Sequence, residues 1–379
     1  MPVPLDEFPV HQVPMSMEHV ASTDRNAYDR SYFNIGNRTD EVFLATGLGV
    51  YPNLGVIDAY ASARVGDRHH TVRFSDALGP DRMQQQVGGY RVEVVEPLRR
   101  VRVICDPPAA DDTGAPRFDL TWDGSFPVVE EPTHQLRVGP KNILDACRFA
   151  QVGTWEGHLE AGGRSWEVGP DRWLGTRDRS WGIRPVGEPE PPGRTAAETP
   201  PDYGFYWVYV PLRFDDFAVV VIVQEDGRGH RTLNDAVRVW PEGRDPDLLG
   251  WPRVEIDRRS GTRDATGARL HLTEPDGTPV TIEVEPVLGL ALSLGAGYGP
   301  DQVWTHGSWQ GRDWVLADAL DLASDEAKAM LPFSIVDHHA RAVWRGGDHD
   351  GAEGWGMFEH HSVGAHRPSG FTDFASVAP

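Results

Sequence analysis

The densest chemistry in the chain lies in the stretch "GTRDRSWG", Gly175 to Gly182, where Arg177, Asp178, Arg179 and Trp181 sit between two glycines. Side chains alternate between the two faces of a strand. Arg177, Arg179 and Trp181 therefore share one face, and Asp178 and Ser180 the other. If the arginine face lines a partly dry cavity, each unpaired cation costs roughly several kcal/mol. It then needs a carboxylate, a carbonyl or an anionic or carbonyl-bearing ligand. Arginine suits this because it makes planar bidentate contacts and stacks on aromatic rings. The expectation is that Arg177 and Trp181 bind a ligand while Asp178 and Arg179 act on it. An Arg–Asp network tying two domains together accounts for the same residues.

A second group is aromatic. In "YGFYWVYVPL", Tyr203, Phe205, Trp207 and Tyr209 fall on one strand face and could wall a cavity with polar tips that orient a ligand. Ordinary barrel core is the competing reading. Tyr206 lies on the opposite face and becomes a catalytic candidate only if the register turns it inward. In "WTHGSWQGRDW", His306 is a candidate proton donor near neutral pH, with Trp309 as a wall residue. Glu359, near the C-terminus, could serve as an acid if burial raises its pKa. An ion pair with Arg341 is the alternative.

Elements must position these groups. Glycine (41) and proline (31) are abundant and helical periodicity is scarce, which favours many short strands. "FAVVVIV" is an apolar run of strand length, and "RLHLTEPDGTPVTIEVEP" reads as a hairpin around Pro275-Asp276-Gly277. Only "KNILDACRFA" and "DALDLASDEAKAML" look helical. The chain also repeats itself. "RVEVVEPL" (91–98) resembles "TIEVEPVL" (281–288), and "GTRDRS" (175–180) aligns with "GMFEHH" (356–361), pairing Asp178 with Glu359. Between the halves, "GEPEPPGRTAAETPPD" (187–202) has the composition of a linker. The expected organisation is a barrel over 1–186, a linker over 187–202 and a second barrel over 203–379. The interior of a small barrel can hold one ligand.

Composition excludes several classes. A net charge of −21 argues against nucleic acid and against anionic membranes. No apolar stretch has transmembrane length, so no stable membrane insertion is expected. The N-terminus lacks a basic start followed by an apolar run, so a cytoplasmic location is the default. Two cysteines without a CxxC pattern exclude a cysteine zinc site. The C-terminal histidines form no HExxH, and adjacent strand histidines point opposite ways, so no metal is expected. The glycine-rich stretches do not lead from strand to helix, so neither is a nucleotide cofactor. Oligomeric state is not legible.

Several stretches together carry a resemblance: "WLGTRDRSWGIRP", "VGGYRVEVVEP", "FDLTWDGSFPVVEEP", "THGSWQG" and "GWGMFEHHSVG". The sequence resembles the carotenoid 1,2-hydratase (hydroxyneurosporene synthase) family, to which tocopherol-cyclase-like and Diels–Alderase-like proteins are similar. The resemblance implies an all-β fold of two tandem lipocalin-like antiparallel β-barrels. It also implies a cofactor-independent lyase or isomerase in an apolar cavity, acting on a lipophilic isoprenoid, steroid or polyketide-like substrate. The family's cavity histidine and tryptophan fall at Arg179 and Trp181, and its tyrosine and catalytic aspartate at Tyr206 and Val208. The aspartate is therefore missing, and with it the family's own alkene hydration. Loss of that acid favours a different class, a non-catalytic carrier of a lipophilic acid.

Overall fold

The computed structural model describes residues 1–108, 113–139, 141–186, 202–241, 243–298, 303–331 and 334–379. The proposed linker lies outside them except for Asp202. The described chain is all-β, in two curled antiparallel sheets that form tandem barrels. The first sheet contains β1 (Ala27–Gly36), β2 (Val42–Tyr51), β3 (Val56–Val65), β4 (Arg68–Ala77), β5 (Gln86–Val87), β6 (Tyr90–Glu96) and β7 (Arg100–Cys105). It continues with β8 (Arg117–Gly124), β9 (Val129–Glu130), β10 (His134–Val138), β11 (Lys141–Ala161), β12 (Arg164–Val168) and β13 (Leu174–Ile183). The second contains β14 (Gly204–Arg213), β15 (Ala218–Asp226), β16 (Arg231–Val239), β17 (Asp247–Leu248), β18 (Arg253–Arg258), β19 (Ala265–Thr273) and β20 (Pro279–Ala291). After β21 (Trp314–Asp321) and the short helix α1 (Asp325–Met330), β22 (Val336–Arg345) and β23 (Glu353–Gly364) complete it.

Strand order repeats between the two sheets and corrects part of the alignment read from the sequence. The path β2-β1-β13-β11-β8-β7-β6 in the first sheet matches β15-β14-β23-β22-β20-β19-β18 in the second. β13 and β23 are therefore counterparts, as the Asp178–Glu359 alignment requires. The strand at 91–98 corresponds to β18, not to β20, so the match of "RVEVVEPL" with "TIEVEPVL" is a coincidence of strand-forming residues. β21 breaks the symmetry: it comes from the second half of the chain but pairs antiparallel with β4 at the edge of the first sheet.

The hairpin reading holds, with Gly277 at φ +92° in the turn joining β19 to β20. The "KNILDACRFA" helix does not form. That segment opens β11, pairing with β10 on one side and β13 on the other, and this cross-strand pairing overrides a short helical pattern. In "DALDLASDEAKAML" the first part is β21 and only Asp325–Met330 is helical, capped by the Ser324 hydroxyl accepting from the Ala327 N–H.

Three large apolar clusters show where space remains. One fills the first barrel, with Phe33, Leu44, Val72, Trp122 and Trp155 among its members. Another fills the second, around Val210, Phe214, Val221 and Trp344. The third joins the outer faces of both sheets, with Tyr32, Phe43 and Ala150 against Trp207, Tyr209, Leu288 and Met357. Strand alternation explains this division: successive residues of β1, β13, β14 and β23 serve a barrel interior and the inter-barrel layer in turn. No helix among the described residues is long and apolar enough to cross a membrane. Cys105 and Cys147 are both free.

Candidate active site between the barrels

A cavity of about 330 Å³ opens in the inter-barrel layer. Its size is at the small end of ligand pockets, which span roughly 300–1,000 Å³. Its walls come from both halves, so a ligand there touches both barrels, not one barrel's interior. This corrects the expectation of an intra-barrel site, and the reason is packing: each barrel's own side chains fill its centre.

The polar groups of the cavity are built from cross-strand pairs. Tyr32 on β1 lies directly opposite Asp178 on β13. Glu359 on β23 lies opposite Tyr209 on β14 and opposite Asp337 on β22. Residues opposed in this way have Cβ atoms about 4.5–5.5 Å apart and share a face. The Tyr32 hydroxyl crosses between the sheets and donates to Asp337 Oδ2 at 2.5 Å. The other oxygen of Asp337 is buried without a hydrogen-bond partner. Asp178, Asp337 and Glu359 all line the cavity.

Burial governs the electrostatics of these acids. It lifts Asp178 to about 6, against the pull of Arg148. It lifts Glu359 to about 7, opposed first by Arg148 and then by the Trp207 indole. Asp337 stands well above the ordinary carboxyl range, first from burial and then from the Glu359 charge. Burial thus favours the protonated form of Asp337, beside a Glu359 carboxyl raised to about 7. The cations are walled in with them. Arg148 on β11 donates to Glu131 through Nε and lies 4.4 Å from the Tyr209 ring centroid and 5.4 Å from that of Trp207. Arg30 on β1 donates to the Tyr298 hydroxyl at 2.8 Å and lies 3.1 Å from His306 Nε2. Behind it, burial lifts Asp58 to about 7 even though Asp58 accepts the Gly307 N–H at 2.6 Å.

The arrangement can move protons and steady negative charge. Burial raises both Asp337 and Glu359, so each of the two opposed carboxyls holds its proton more firmly than an ordinary carboxyl. Buried guanidiniums and phenols around a developing oxyanion contribute more than they would in water. Among the described residues, no three His, Cys, Asp or Glu side chains gather as a metal site.

Of the sequence-derived candidates, Asp178, Glu359, Tyr203, Phe205 and Trp207 line the cavity. Tyr209 lies just behind it, beneath Arg148. His306 is one layer back, packed on Tyr60, Tyr298 and Trp304 and held well below its usual pKa by burial and by Arg30. The arginine face of β13 points away from the cavity. Arg177 turns toward the first barrel, donating from Nε to Gln151 at 2.7 Å, and burial pulls its pKa down to about 10. Arg179 donates to Gln85 and ion-pairs with Asp29 at 3.0 Å. Trp181 is 43% exposed and Trp309 46%. Tyr206 belongs to the second barrel's interior, stacked on His366 at 4.2 Å, and Val208 is buried on the same side. Arg341 pairs with Glu353 and Glu285, not with Glu359.

Sequence reasoning missed Asp337, Tyr32, Arg30, Arg148 and Arg184, all on the cavity wall. Asp337 sits in "VDHHARAVW", where the neighbouring histidines drew the attention. Its position opposite Glu359 was the signal available, once β22 and β23 were paired.

The fold has likenesses among solved structures. An AttH-like protein from Nitrosomonas europaea aligns with a TM-score of 0.52 at 12% identity, over 95% of this chain and 98% of its own. Kievitone hydratase from Nectria haematococca gives 0.49 at 14% identity over 88% of each chain. CghA in complex with Sch210972 gives 0.46 at 14% identity, over 89% of this chain and 88% of its own. At such identities the likeness shows the fold alone and does not carry the narrower resemblance to carotenoid 1,2-hydratase. No protein of curated function matches the sequence. Residues 3–372 match one family model, and the chain belongs to that family, the family of unknown function DUF8625.

Proposed function

We propose that the protein is a cofactor-independent enzyme that performs proton-transfer chemistry on a compact lipophilic substrate held between its two barrels. Hydration, dehydration, isomerisation and cyclisation all belong to this class. The observation that carries the reading is the Asp337–Glu359 pair, two acids directly opposed on β22 and β23 inside an aromatic-walled cavity. Protonated Asp337 donates a proton to an alkene or carbonyl of the substrate. The Glu359 carboxylate takes one from a substrate carbon or from water. The proton then passes between the opposed pair to restore the starting state. Arg148, Arg30 and Tyr32 steady an enolate or alkoxide, while Phe205, Trp207 and Met357 hold the hydrocarbon. Confining a flexible chain in a reactive shape removes entropy from the barrier.

A cavity of about 330 Å³ lies within the range of pockets that hold small ligands, which suits a compact ring system or a short prenyl unit.

Carriage of a lipophilic acid is the second reading, favoured by Arg30, Arg148 and Arg184 on the cavity wall. One experiment separates the two. Ligand is extracted from natively purified protein, identified by mass spectrometry and incubated with fresh protein in D₂O. An enzyme returns a hydrated or isomeric product with deuterium at carbon, or a dehydrated product lighter by one water. Recovery of the ligand unchanged and unlabelled assigns the protein to carriage.

A further inference from the structure

A second cavity, of about 380 Å³, lies on the other side of β22 and β23 from the carboxyl site. Val336 and His338 face it, whereas Ile335 and Asp337 face the first. Its remaining walls come from β3 and β4 of the first barrel, from β20, and from the 259–266 turn at the mouth of the second barrel. In a chain of net charge −21, this lining is basic. Arg64, Arg259 and Arg263 contribute to it, against Asp264 as the one carboxylate among the described lining residues.

Two of these arginines make their hydrogen bonds to carbonyls, with carboxylates acting on them only through space, Asp67 on Arg64 and Asp373 on Arg263. Arg64 donates to the carbonyls of Gly66 and Gly289. Arg263 donates to the carbonyls of Ser362, Gly364, Asp373 and Ser376. Carbonyls satisfy donors but leave the positive charge in place, and a partly buried cation without an anion in contact is unfavourable. The cavity also holds polar groups that the protein satisfies poorly. Neither ring nitrogen of buried His69 meets hydrogen-bond geometry with a neighbour, and burial pulls its pKa down to about 3 against the nearby Leu294 backbone, so the ring is neutral and offers one N–H. The Ser362 hydroxyl is buried and unpartnered as well. Native structures rarely leave such groups orphaned unless a water, ion or ligand completes them.

We propose that this cavity binds a small oxyanion, a carboxylate or phosphate group, through the charges of Arg64 and Arg263 and the donors of His69 and Ser362. The site draws on both halves, so its occupant ties the first barrel's β3–β4 hairpin to the mouth of the second. It is independent of the acid–base chemistry in the first cavity.

The test is thermal unfolding and calorimetric titration of the full chain with sodium phosphate, sodium acetate and, at matched ionic strength, sodium chloride. Saturable stabilisation by phosphate, acetate or both, absent with chloride, is the expected result, and the more effective anion identifies the head group. Arg64→Gln and His69→Ala each weaken the apparent affinity at least tenfold, while Arg312→Gln on the distant surface leaves it unchanged. Should Arg64→Gln fail to fold, Ser362→Ala, which removes one small donor, supplies the reading. Phosphate and acetate behaving like chloride, or all folded site variants titrating like wild type, overturns the proposal.

Discussion

The two halves meet at the cavity with the same scaffold and opposite chemistry. In the first half, β1 and β13 set Tyr32 opposite Asp178, and β11 places Ala150 on the far side of that aspartate. In the second half, β14 and β23 set Tyr209 opposite Glu359, and β22 places Asp337 where Ala150 stood. Two residues back along these strands, Arg148 on β11 answers to Ile335 just before β22. One wall therefore carries Arg30, Arg148 and Arg184 with a single acid. The other carries two acids and no cation of its own on β22 or β23. The tyrosine–carboxyl pairs are common to both walls, and differences at three positions, Ala150 against Asp337, Arg148 against Ile335 and Arg30 against Trp207, make an otherwise symmetric layer polarised. Burial raises both acids of the second wall, Glu359 to about 7, and the Glu359 charge raises Asp337 further, because two opposed carboxyls cannot both ionise cheaply in a dry site.

The largest expected effect breaks the second wall. Asp337→Asn and Glu359→Gln should each lower turnover of the extracted ligand by roughly 10²–10⁴-fold, the usual contribution of a positioned acid or base. Asp178→Asn should lower it less. Equal losses at Asp178 and Glu359, read by steady-state rates, would mean that the walls are chemically equivalent.

Breaking the first wall should cost stability. Arg148→Met leaves Glu131 buried without its cation, and removing one partner of a buried pair typically costs about 3–5 kcal/mol. It also removes the charge that holds Asp178 and Glu359 down, so both should titrate higher. Urea unfolding measures the first effect. Trp207→Ala, which empties an aromatic wall, should cost about 3–5 kcal/mol by the same measurement.

The pH dependence sharpens the comparison. Asp178 titrates higher folded than unfolded, so the native state binds the extra proton and gains relative stability at low pH. That contribution is lost as pH rises from about 4 to about 6. Asp178→Asn should flatten this part of the stability profile relative to wild type, and Glu359→Gln should do so up to about pH 7. The smallest effects belong to the arginine face of β13, turned away from the cavity: Trp181→Ala, at a partly exposed indole, should change stability within about 0.5 kcal/mol and leave ligand uptake unaltered.

Much of this layout was legible in the sequence. Turn signals and strand-length runs indicated an all-β fold. The repeat aligned Asp178 with Glu359, and alternation placed Tyr203, Phe205, Trp207 and Tyr209 on one face. The face of β13 that meets the cavity was not legible. In a lone barrel the outer face of a strand is wet, and the rule would send the polar alternates out. Here the barrels pack outer face to outer face, so both faces of β13 are partly buried and periodicity cannot choose between them. Asp337 escaped for a related reason: its partner Tyr32 is 305 residues away, and a single buried aspartate leaves no periodic trace.

The central claim is that the opposed acids of the second wall share a proton at neutral pH. Carbon-13 NMR titration of carboxyl-labelled protein, with Asp337→Asn and Glu359→Gln for assignment, tests it directly. The expected record shows Asp337 still protonated at pH 7 and Glu359 with a midpoint near 7. Both carboxyls titrating at about 4, as in unstructured peptides, would contradict it.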